Sequence, residues 1–173
     1  MKKIHRYILI LLIIGSPLFG TAQQNISEFK SGTIDMGIIA SDFDASLKFY
    51  TEVIGMQVTR EFSVDADFAK KAGLSNGRGQ IDVTVLKTID EENATELKLM
   101  TFGNKTNVKD KYLGDKNGMR YITIFVKTIE PFIERIKEDN IPFLGETPVK
   151  LPDGRDFVLI QDPDGVFVEL IGG

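Results

Sequence analysis

Apolar and polar positions alternate in short stretches along this chain. In TIDMGIIA (33–40), Ile34, Met36, Ile38 and Ala40 fall on one side and Asp35, Gly37 and Ile39 on the other, as a strand requires. The spacing then changes to that of a helix. In SDFDASLKFYTEVIG (41–55), Phe43, Leu47, Tyr50 and Val53 share one face, Ser41 or Asp42 can cap the start, and Gly55 ends it. MQVTREF (56–62) predicts a strand, residues 64–75 an irregular or helical excursion, and QIDVTVLKT (80–88) and ATELKLMTF (94–102) two further strands.

The same order then returns. After the polar stretch GNKTNVKDKYLGDKNG, the segment MRYITIFV (119–126) predicts a strand. KTIEPFIERIKEDN (127–140) predicts a helix with Ile129, Phe132, Ile133 and Ile136 as its apolar stripe. Strands are expected near 142–146, 155–162 and 166–171. The pattern is α+β: two βαβββ modules, residues 32–103 and 118–173, joined by a linker over 104–117. They are expected to form curved mixed sheets around a cleft with helices outside.

Residues 1–22 differ in kind. Lys2, Lys3 and Arg6 precede an unbroken apolar run over 7–14, and Gly20, Thr21 and Ala22 offer a cleavage site. The run is shorter than the roughly 20 residues of a membrane span, so a signal peptide is expected rather than a stable membrane anchor. The protein is then exported, periplasmic or secreted.

Charge and composition narrow the chemistry. Losing those three basic residues takes the formal net charge from -4 to -7, and an acidic domain suits neither nucleic acid nor an anionic membrane. A small-molecule ligand is the expected partner, and open sheet edges leave a homodimer possible. The chain has no Cys, and its one His is His5, inside the signal segment. Nucleophilic triads, His bases and ordinary zinc sites are therefore excluded for the mature chain.

The doubled βαβββ pattern, the SDFDASLKFYTEVIGM segment, the LKLMTF strand and the terminal DPDGVFVELIG resemble the vicinal oxygen chelate superfamily, which includes glyoxalase I, bleomycin-resistance proteins and extradiol dioxygenases. The resemblance covers nearly all of residues 32–173. It implies a cleft whose divalent metal is held by the first and last strands of each module, at positions matching Asp35, Lys98, Tyr121 and Glu169. Only Glu169 is a usual ligand, and an ammonium at Lys98 offers no lone pair and repels a dication. No cofactor is therefore expected, with Asp35 and Glu169 as the residual metal candidates and no confident catalytic residue.

Alternation puts Ile39, Met100, Thr123, Phe125 and Phe167 on the same faces as those four. Lys98 could neutralise Asp35 and Glu169 in place of the metal. It could instead grip an anionic or carbonyl group, with Tyr121 donating a hydrogen bond and Phe125 and Phe167 supplying apolar contact. Three functions follow: a metal-free small-molecule binder, a metal-dependent lyase, isomerase or dioxygenase using oxygen ligands including Glu169, or a non-catalytic scaffold with a filled site.

Other residues read as structural. The two Pro-Asp-Gly triplets suit hairpin turns better than a cation site at Asp162 and Asp164, because further oxygen ligands at calcium spacing are missing. Arg120 is expected in solvent, and Phe49 and Tyr50 in packing.

Overall fold

The computed structural model describes residues 28–103 and 108–173. The expected signal segment lies outside these residues. Among them, no helix is long and apolar enough to cross a membrane.

Two four-stranded mixed sheets are wired identically. Sheet 1 contains β1 (Met36–Ala40), β2 (Gln57–Val64), β3 (Ile81–Lys87) and β4 (Leu97–Thr101), in the order β1-β4-β3-β2. Sheet 2 contains β5 (Tyr121–Val126), β6 (Val149–Lys150), β7 (Asp156–Gln161) and β8 (Phe167–Gly172), in the order β5-β8-β7-β6. In each, the first and last strands are parallel and the other pairs antiparallel. The repeated hydrophobic pattern thus corresponds to a repeated topology.

Helix α1 (Phe43–Lys48) is capped by the Asp42 carboxylate, which accepts from Ala45 N, and continues into a π-helical turn over Phe49–Val53. Helix α3 (Glu130–Glu138) is its counterpart in the second module. Phe49, Tyr50 and Val53 from the first segment and Ile136 from α3 meet Leu97 and Leu99 of sheet 1 and Val158, Ile160 and Leu170 of sheet 2 in one core. Burying side chains of this size contributes about 1.5–3 kcal/mol each before entropy is set against it.

The two modules are also tied by polar contacts within this layer. The buried Tyr50 hydroxyl donates to Asp162 Oδ2 at 2.9 Å, and Arg135 Nε donates to the Val53 carbonyl at 2.8 Å. Asp162 Oδ1 accepts from the backbone of Asp164 and Val166, which makes the DPDG segment a turn, as its Pro and Gly suggest. Burial pushes the Asp162 carboxyl up, against the hydrogen bonds that favour its anion. Burial, reinforced by the Asp162 charge, pushes Tyr50 well up.

The excursion after β2 becomes helix α2 (Ala66–Lys71), capped by Asp65. Its Ala69 packs on Ile81, Val83 and Val85, with Val64 and Met100 against them. Leu86 of the same β3 strand points into the main core, so α2 covers the opposite face of sheet 1. One helix therefore lies on the side where a cleft was expected, rather than outside. A second difference concerns 142–146, where no strand forms: Pro142 has no N–H to donate and Gly145 turns the chain at positive φ, so β6 forms only at Val149–Lys150.

Candidate functional site

The sheet faces away from the main core contain the residues singled out by alternation. In sheet 1, register aligns Gly37, Lys98, Val85 and Arg60 in one row, with Ile39 beside Met100. In sheet 2, it aligns Tyr121, Phe167 and Gln161, then Thr123, Glu169 and Leu159, then Phe125, Ile171, Phe157 and Val149. Lys98 and Glu169 occupy equivalent positions in the two modules.

Their surroundings differ. Lys98 Nζ donates to Asp35 Oδ2 at 3.0 Å and lies 3.9 Å from Glu96 Oε2, which Arg60 approaches at 2.7 Å. Glu96 N also donates to Asp35 Oδ1 at 3.1 Å. These two cations and two anions form a chain with no net charge. The Lys98 hydrogen bond, helped by the Glu96 amide, holds the Asp35 carboxyl below its ordinary 3.8.

Glu169 accepts a single hydrogen bond, from Thr123 Oγ1 at 2.6 Å. The contact expected between Lys98 and Glu169 is not formed. Lys98 instead finds carboxylates on its own sheet, at Asp35 and two residues back along its own strand at Glu96. Glu96 was absent from the expected set although its i−2 spacing puts it on the Lys98 face.

A cavity of about 520 Å³ lies along the unpaired edge of β5. Tyr121, Thr123 and Phe125 line it together with Met119 just before β5 and Ile34 and Met36 from the β1 segment. Ile34 falls on the strand side opposite Asp35 by alternation, but it precedes β1, is 77% exposed and borders the cavity. Ile39 is partly exposed on sheet 1, whereas Met100 packs on the α2 cluster.

Phe167 departs further from expectation. It shares the Glu169 face but is 1% exposed, with the Arg120 guanidinium 5.8 Å from its ring centroid, so it offers a ligand no surface. Arg120, in turn, is not in solvent. It pairs with Asp110 across the β5 end of sheet 2 and lies over Phe167, because a guanidinium can stack on a ring while bonding a carboxylate edge-on.

The four positions implied as metal ligands do not suit a divalent ion. Of the four implied positions, the Lys98 ammonium claims the Asp35 carboxylate, and Glu169 has Tyr121 as its neighbour among them. Among the described residues, no three His, Cys, Asp or Glu side chains gather as a metal would need.

Residues 33–170 match the Glyoxalase/Bleomycin resistance protein/Dioxygenase superfamily, and the chain belongs to that family. The uncharacterized protein YwbC of Bacillus subtilis (strain 168) is 24% identical over 134 residues, covering 77% of this chain and 90% of YwbC. A glyoxalase family protein from Bacillus cereus superposes with a TM-score of 0.65 at 18% identity, covering 85% of this chain and 97% of its own. The trypanothione-dependent glyoxalase I of Leishmania major superposes with a TM-score of 0.59 at 24% identity, covering 82% and 86%. These structural likenesses establish the shared fold, while chemistry depends on the side chains each member places in it.

Proposed function

We propose that this protein is an exported binder of a small organic molecule, which it holds along β5 without a catalytic metal. The observation that carries this reading is the cavity of about 520 Å³ lined by Tyr121, Thr123 and Phe125, a volume within the usual range for small-molecule sites. The salt-bridged Lys98 at a position where the family's enzymes place a ligand supports the metal-free part. The basic start and apolar run of residues 1–22 support export.

The cavity walls supply apolar and aromatic surface from Phe125, Tyr121, Ile34 and Met119, and the Thr123 and Tyr121 hydroxyls supply orientation. Binding here would remove exposed apolar area from water, at about 25 cal/mol per Å² before ordering costs. No acid, base or nucleophile is assigned.

Elemental analysis of untagged protein, with fluorescence titration by the uncharged dye Nile red before and after a chelator, tests this. Saturable dye binding unaffected by the chelator, and weakened by Phe125→Ala, is expected. Stoichiometric metal that survives dialysis, together with turnover abolished by the chelator, would overturn it. Export is checked separately: mass spectrometry of protein from the envelope fraction should find an N-terminus near Gln23, and an intact Met1 there would instead indicate an anchor.

A further inference from the structure

We infer that the ligand of this cavity is an organic cation: an apolar, aromatic-sized skeleton bearing one ammonium group that meets Glu169. The inference rests on the cavity reading above and adds the ligand's charge.

The argument is a count of charge partners around sheet 2. Arg120 and Lys116 both pair with Asp110, Arg155 pairs with Asp153, and Lys150 pairs with Asp156. Across on sheet 1, Lys98 is held by Asp35 and Glu96. Each of these five cations thus already has a carboxylate. Among the described residues Glu169 pairs with no cation, and its one donor, Thr123 Oγ1, reaches Oε2, so Oε1 accepts nothing from them.

The neighbours of Glu169 do not replace that partner. Leu159 lies beside it on β7, Phe167 and Ile171 flank it along β8, and Tyr121 and Phe125 flank Thr123 along β5. A half-buried carboxylate within an apolar surface repels an anionic ligand and favours a cation. Tyr121 and Phe125 lie diagonally across from it on the parallel β5 strand, one same-face position to either side of its partner Thr123. The Arg155 guanidinium already lies 5.8 Å from the Phe125 ring centroid, so cation–π attraction for a ligand ammonium would come from the Tyr121 ring.

The position of Thr123 gives the arrangement its direction. It lines the cavity and also bonds Glu169, so a ligand lying along β5 can place its apolar body against Tyr121 and Phe125 and its charged end beyond Thr123. Lys98 is not free to meet an anionic ligand, since its ammonium could be released only by leaving both Asp35 and Glu96 without it.

Three probes of matched shape test the charge: 4-phenylbutylamine, 4-phenylbutan-1-ol and 4-phenylbutyrate, titrated calorimetrically into wild type and Glu169→Gln. The amine is expected to bind about tenfold more tightly than the alcohol, a difference of about 1.4 kcal/mol, with the carboxylate weakest. Glu169→Gln should bring the amine to the affinity of the alcohol and leave the alcohol unchanged. Equal binding of all three overturns the charge inference while the cavity reading stands, and so does an amine preference that persists in Glu169→Gln. Binding of none at millimolar concentration removes both. The wild-type ranking decides the matter by itself should the variant fold poorly.

Discussion

The two sheets share one wiring but treat their equivalent charged residues in opposite ways. In sheet 1, the residue beside Gly37 is Lys98, and the preceding row contributes Asp35 and Glu96, so its charge is neutralised within its own sheet. In sheet 2, the residue beside Thr123 is Glu169, and the preceding row contributes Tyr121 and Phe167, neither of which can neutralise it. Helix α2 then covers part of sheet 1 through Ala69, while the short connection between β6 and β7 provides sheet 2 with no such helix. A duplicated backbone thus gives one face completed by its own residues and one left to meet something else.

The largest expected effect tests the closed face. Ile81 is buried beneath α2, so Ile81→Ala should cost about 2–5 kcal/mol in denaturant unfolding. A cost below 1 kcal/mol would mean that α2 does not close sheet 1. Tyr50→Phe tests the layer shared by both sheets. It leaves Asp162 Oδ2 buried without its donor and should cost about 1–3 kcal/mol, with ligand binding on sheet 2 unchanged.

The pH dependence of Tyr50→Phe has a definite sign. The Asp162 pKa is already raised, so its contribution favours folding below 3.8 and is lost as pH rises through the folded value. Removing a hydrogen bond to the anion raises it further. The deficit of Tyr50→Phe should therefore be larger at neutral pH than at acid pH, and the reverse order would show that Asp162 is not the group affected.

Lys98→Met should cost less, no more than about 1 kcal/mol at neutral pH, because both ends of the pair are partly solvated. Asp35 has a lowered folded pKa, so its contribution is present above 3.8 and lost as pH falls through the lowered value. Unfolding of the variant at a series of pH values should show the deficit shrinking in acid; a constant deficit would remove the pair from the account. Phe125→Ala should be smallest, within about 0.5 kcal/mol in stability since the ring is 69% exposed, yet it should weaken Nile red binding.

Much of this was legible in the chain itself. Alternation placed Asp35, Lys98, Thr123 and Glu169 on the faces they occupy, because period 2 is a local property of extended backbone. Which charge pairs with which was not, since Lys98 has several carboxylates in reach and the choice depends on how sheets curve and side chains extend. Phe167 shows the same limit. Its face was correct, but burial depended on Arg120 and Asp110, which come from the ends of distant segments. The short β6 could be anticipated from Pro142, Gly145 and Pro148, whose spacing leaves little room for a ladder.

The bond between Tyr50 and Asp162 spans 112 residues, which bears on the order in which the protein can acquire its structure. A chain emerging from synthesis can form α1 and the π-helical turn after it early, but the acceptor for the buried Tyr50 hydroxyl arrives only with the last turn. Closing so long a loop is entropically slow, and contacts of this sequence separation are associated with slower folding. The first module, although complete in its own strands, must wait with an unsatisfied tyrosine and part of its apolar layer uncovered.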